Sequence, residues 1–139
     1  MAKLKSKFII GGGGFYGMLG ISTEEKDKRM TANSMPGNII TDDYDGYRLL
    51  IFTNSVLTGK NDKDEYWTNG YTAKVVEQDG KKMIKIFFRL TDDYEPYYID
   101  PREFKELIEI WIKEKAEFDK GPTKYKEELK KRGGEVIEE

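Results

Sequence analysis

Near the start of the chain apolar residues alternate with lysines, Leu4, Phe8 and Ile10 standing against Lys5 and Lys7. That period of two predicts a strand over residues 1–10. Gly11, Gly12, Gly13 and Gly14 break it, and an apolar run resumes with Phe15, Tyr16, Met18, Leu19 and Ile21. Residues 22–29 are polar and highly charged, which reads as a loop or a short exposed helix. Pro36-Gly37 signals a turn within 30–40. Tyr47, Leu49, Leu50, Ile51 and Phe52 make 47–53 a further strand candidate, and 59–65 a polar loop.

The clearest local pattern is a hairpin. Arms at 71–78 and 82–90 flank Asp79-Gly80, the dipeptide of a type I′ turn. The second arm is apolar on nearly both faces through Ile86, Phe87, Phe88 and Leu90, which predicts a central strand. The clearest helix is 101–118. Asp100 is its expected N-cap, Pro101 occupies the first helical position, and Glu103 completes a capping box. Phe104, Leu107, Ile108, Trp111 and Phe118 form its inner stripe, which Ile110 and Ile112 widen. Gly121-Pro122 separates it from a weaker helix at 123–132, anchored by Tyr125 and Leu129 and ended by Gly133-Gly134. Residues 135–139 read as a frayed tail. Strands first and helices last predict one α+β domain over 1–139. In it an antiparallel sheet with the 71–90 hairpin is packed by the 101–118 helix.

Composition narrows the chemistry. The 139 residues include no cysteine and no histidine. That excludes a disulfide scaffold, Cys/His zinc sites, thiol catalysis and the Ser-His-Asp mechanism. The chain has 24 Lys and Arg against 26 Asp and Glu, a net charge of −2. Nucleic-acid binders carry a basic surface, so no direct nucleic-acid partner is expected. No apolar run is long enough for a membrane span. The glycine-rich stretch 8–21 does not resemble a signal peptide, so a cytoplasmic location is expected.

Gly12-Gly13-Gly14-Phe15-Tyr16-Gly17 fits G-x-G-x-x-G after a predicted strand. A dinucleotide fold uses such glycines to bring backbone amides onto a pyrophosphate. Here the following segment is a poor helix, and no ribose-binding acid stands at residues 30–33. No nucleotide or other cofactor is therefore expected. A small-ligand or nucleotide-binding protein, or an enzyme, using loop 11–17 is the alternative.

A second motif is an internal echo. Thr41-Asp42-Asp43-Tyr44-Asp45-Gly46-Tyr47 and Thr91-Asp92-Asp93-Tyr94-Glu95-Pro96-Tyr97 share one pattern, each expected at a strand boundary. Turn capping by Asp and Thr explains such segments in one way. A paired acidic-aromatic surface for a basic partner explains them in another. The carboxylate spacing fits no calcium loop, so no metal is expected. Acid collects at Asp42, Asp43 and Asp45, at Asp62, Asp64 and Glu65, and at Asp92, Asp93 and Glu95. Tyr44, Tyr47, Tyr66, Trp67, Tyr94, Tyr97 and Tyr98 are interleaved with it. Charge steers an encounter and aromatic anchors hold it. The candidate partner-binding residues are thus the nine acids with Tyr44, Tyr47 and Tyr94. No catalytic residue is assigned.

This profile is a small cysteine-free domain with acidic-aromatic loops and a sheet followed by Asp100-Pro101-Arg102-Glu103-Phe104-Lys105-Glu106-Leu107-Ile108. It resembles the immunity proteins of bacterial contact-dependent and other polymorphic toxin systems. The resemblance implies a non-enzymatic antitoxin. Such a protein binds a cognate toxin domain, often a nuclease, stoichiometrically and occludes its active site or substrate surface. Another non-catalytic interaction module is the remaining reading.

Overall fold

Asp79 and Gly80 both adopt left-handed backbone, with φ of 53° and 76°, as a type I′ turn requires. They join β4 (Tyr71–Gln78) to β5 (Lys81–Phe88), eight residues each and paired along their whole length. The computed structural model describes residues 6–10, 18–24 and 30–136. β3 (Glu65–Trp67) and β6 (Tyr97–Ile99) flank the hairpin, so the sheet order is β3-β4-β5-β6, all antiparallel. β5 is central, as its apolar character predicts. Its strand ends at Phe88, and Arg89 and Leu90 are exposed beyond it.

The fold is α+β, with its C-terminal helices packed as expected. α3 (Pro101–Lys120) starts where Asp100 accepts the Arg102 N–H at 2.8 Å. Phe104, Leu107, Ile108, Trp111 and Phe118 are all buried. Ile110 does not widen this stripe: it is exposed, because its position turns it to the far side of the helix. α4 (Pro122–Lys131) is held by Tyr125 and Leu129.

Between the first small strands and the hairpin the structure differs from the expectations. Residues 47–53 are not a strand but the first half of α2 (Tyr47–Thr58). Leu49, Phe52, Thr53 and Val56 are buried at helical spacing, and α2 packs on α3. Pro36-Gly37 is not a turn but lies in the first turn of α1 (Met35–Asp42), where a missing N–H costs little. Helices therefore stand between the strands as well as after them. The Thr41–Tyr47 echo joins two helices and is not at a strand boundary.

α1 and α3 cover the inner face of the sheet, over Ala73, Ile84, Ile86 and Ile99. Gly37 lets α1 touch a second small sheet. A Cβ on Gly37 would lie 2.8 Å from the Ile21 carbonyl oxygen and 2.9 Å from the Thr23 nitrogen. That sheet has the order β2-β1-β7, with β1 (Lys7–Ile10) antiparallel to β2 (Leu19–Ser22). β7 (Glu135–Val136) runs parallel to β1. Residues 135 and 136 are thus strand rather than frayed tail. Residues 137–139, the glycine-rich 11–17 and the charged 25–29 lie outside the described residues, as do residues 1–5 of the first predicted strand.

Candidate functional site

The α1–α2 turn is built by side chains from elsewhere in the fold. Tyr44 has φ of 73° and Gly46 of 83°, so the chain reverses through two left-handed residues. The Trp111 indole donates to the Tyr44 carbonyl at 2.9 Å, holding the turn on α3. The buried Lys115 ammonium lies 4.5 Å from the Tyr44 ring centroid and pairs with Asp119 at 2.7 Å. The outer part of the Tyr44 ring stays exposed.

The three acids of this turn each have a partner. Asp42 Oδ2 accepts the Gly70 N–H at 2.9 Å and ties α1 to the β3–β4 turn. Asp43 accepts the Leu49 N–H at 3.1 Å and the Tyr66 hydroxyl. Asp45 accepts the Tyr47 N–H at 3.0 Å. Asp43 and Asp45 thus satisfy free amides at the start of α2, where its dipole also favours negative charge. Burial holds the Asp43 carboxyl above its usual range, although the bonds from Tyr66 and Leu49 oppose the shift. Burial, and then the Asp43 carboxylate, push the Tyr66 phenol up.

These acids form one wall of an open cleft of about 460 Å³. Tyr66, Trp67, Thr68 and Asn69 form another, and Arg48 and Arg89 complete it. The Arg89 guanidinium donates to the Thr68 and Asn69 carbonyls at 3.2 and 3.3 Å. It also stacks 4.8 Å from the Trp67 ring centroid. Trp67 is 58% exposed, and its indole N–H reaches Glu65 at 2.9 Å.

The second echo segment sits beyond the same end of the sheet. Tyr94 packs edge-on against Phe88 at 5.7 Å, and Phe88 packs against Tyr71 at 5.5 Å. Gly70 joins the first echo to this pair: its N–H donates to Asp42, and a Cβ there would lie 3.5 Å from the Phe88 ring and 3.8 Å from the Asp42 carboxylate. The fold therefore brings Asp42–Asp45 and Asp92–Glu95 to one end of the sheet, and Asp92, Asp93 and Glu95 are exposed there. The third acidic stretch lies along β3. Asp64 accepts from the Asn61 amide at 3.1 Å, Glu65 pairs with Lys74 at 3.8 Å, and Asp62 is exposed.

Residue patterns alone missed Arg48 and Arg89 as cleft residues, and Asn69 with them. Asn69 and Arg89 arrive through pairing of distant segments, whereas Arg48 directly follows the first echo segment. They also missed Ile51, which is 69% exposed one helical turn after the exposed Tyr47. Period-two reading of 47–53 hid that neighbourhood. Among the described residues no cluster of three or more Asp or Glu side chains is placed to hold a metal ion. No described helix is long and apolar enough to cross a membrane. No protein-family model, curated protein or solved structure matches the chain.

Proposed function

We propose that the protein is a non-catalytic binding module, acting in the cytoplasm as an immunity protein that neutralises a basic toxin domain by stoichiometric binding. The observation that carries this reading is the convergence of two acidic-aromatic segments at one end of the sheet, beside the exposed Trp67. Interfaces concentrate their energy in such aromatic anchors, and surrounding carboxylates steer a cationic partner. The cleft is open and lined by charged and amide groups, which suits the side chains of a docking protein better than an enclosed small ligand.

Asp42, Asp43 and Asp45 serve the fold first, through the bonds described above. In this reading the recognition charge therefore rests mainly on Asp62, Asp92, Asp93 and Glu95, and the anchors are Tyr44, Tyr47, Trp67 and Tyr94. The test is co-expression with the product of the adjacent gene, which this reading expects to be a basic toxin domain. A 1:1 complex that abolishes that domain's activity, and whose association rate falls with salt, is expected. Undiminished toxin activity at equimolar protein would refute the reading.

A further inference from the structure

β3 lies at the edge of its sheet, and its hydrogen-bonding register shows which groups face outward. The Val75 N–H donates to the Asp64 carbonyl at 2.8 Å, and the Thr68 N–H to the Tyr71 carbonyl at 2.9 Å. Bonded pairs in an antiparallel ladder recur at every second residue, so Tyr66 and Ala73 form the pair between them. Glu65 and Trp67 belong to the alternate set. Their N–H and C=O groups point away from β4, and no described residue takes them. An open groove of about 550 Å³ runs along this edge, lined by residues 63 to 67.

We propose that β3 takes up an extended, basic segment of a partner as a fifth strand of the sheet. The unpaired backbone groups supply the ladder, as in strand addition generally. The side chains supply the selectivity. Glu65 and Trp67 share one face, joined by their own hydrogen bond at 2.9 Å, and offer a carboxylate and an indole two residues apart. A lysine or arginine opposite Glu65 and an apolar residue opposite Trp67 complement them. Asp62 and Asp64 add to the negative edge, with Lys63 between them. A second copy of this chain is disfavoured as the occupant, because it would bring these carboxylates against their own kind.

This inference rests on the reading of the protein as a module for basic partners, but not on that partner being a toxin. Two probes separate the two ideas. The first is a synthetic peptide that carries Lys and Val in turn at every second residue, with Thr between them, so that one face offers both, with a Glu/Val peptide of the same design as its counterpart. It is titrated into the full chain while amide exchange is followed by NMR. The Lys/Val peptide is expected to slow exchange at Glu65 and Trp67 at least ~10-fold, and the Glu/Val peptide to leave it unchanged. Glu65→Pro removes an outward N–H that makes no bond within the protein, so the ladder survives it. It is expected to weaken peptide binding at least ~10-fold more than Glu65→Ala, the order expected when one or two backbone bonds are lost. The second probe is the complex with the adjacent gene's product. Unchanged exchange at Glu65 and Trp67 with millimolar Lys/Val peptide, or in that complex, would overturn the fifth-strand inference even if toxin activity is abolished. Protection of the two amides by the peptide, with toxin activity undiminished, would uphold the edge and refute the immunity reading.

Discussion

Replacing Gly37 by alanine should destabilise this protein, although the residue lies in a helix. Alanine is worth about 1 kcal/mol over glycine in a helix interior. At Gly37 the added Cβ would meet the backbone of β2 at 2.8 Å (Ile21 O), 2.9 Å (Thr23 N) and 3.2 Å (Ser22 Cα). These atoms are not free to move aside. β2 is paired to β1, and Thr23 Oγ1 accepts the Gly37 N–H at 3.0 Å while donating to the Asn33 carbonyl at 2.6 Å. α1 cannot easily retreat either, since Met35, Ile39 and Ile40 are fully buried. Overpacking of this kind costs about 1–3 kcal/mol, and more where backbone must shift. The net expectation after the propensity gain is a loss of about 2 kcal/mol. Urea unfolding followed by far-UV circular dichroism should show the midpoint falling by about 1 M at an unchanged slope. Ala116→Gly, at an exposed position of α3, measures the propensity term in the same protein and should cost about 1 kcal/mol. A Gly37→Ala protein as stable as the parent, or more so, would show that α1 and β2 are not in backbone contact.

Trp111→Ala should cost about 3–5 kcal/mol in the same assay, since the indole is buried and holds the α1–α2 turn; retained stability would break the link between α3 and that turn. Tyr66→Phe keeps the ring but strips the half-buried Asp43 of a donor. It should cost about 1–3 kcal/mol at neutral pH and less in acid, as Asp43 becomes protonated. Asp100→Ala removes the α3 cap and the 2.9 Å pair with Lys81, at about 1 kcal/mol at pH 7. The Lys81 ammonium holds the Asp100 carboxyl below its ordinary value of 3.8, so that stabilisation is present above that value. It is lost as pH falls through the lower folded value, and the two stability curves should converge there. Charge reversal at Asp92, Asp93 and Glu95 should slow association with a basic partner and flatten its salt dependence. It should leave the melting curve nearly unchanged, because these side chains are exposed.

The elements legible in the sequence are those whose signals are local. Asp79-Gly80 sets the hairpin by its backbone preference alone, and Asp100-Pro101 starts α3 within three residues. α2 is not legible in a short window, where Leu50, Ile51 and Phe52 suit a strand. The helical stripe of Leu49, Phe52, Thr53 and Val56 emerges only when the window extends past Phe52, and tertiary burial decides the outcome. Pro36-Gly37 misled for a related reason. Both residues are turn formers, but here one tolerates a helix start and the other admits a neighbouring strand.

At the candidate site, the clustering of acid is legible in the sequence but its employment is not. Asp42 finds its amide at Gly70, and Asp43 its hydroxyl at Tyr66, through folding of distant segments. Turn chemistry operates in both echo segments, since the Thr91 hydroxyl accepts the Asp93 N–H at 3.2 Å. The first echo caps and ties, as turn chemistry suggests, while Asp92, Asp93 and Glu95 remain exposed.

The pairing of β7 with β1 sets an order in time. Ile9 and Ile10 sit beside Glu135 and Val136, so one neighbour of β1 comes from the other end of the sequence. During synthesis the four-stranded sheet and the two helices that cover it have all been made once α3 has emerged. β1 and β2 are made first but wait longest for a complete sheet. Contacts so remote along the chain carry the largest loop-closure cost and tend to form late. The small sheet is thus the last part of the domain to be finished, although its first strand is made before the other described elements.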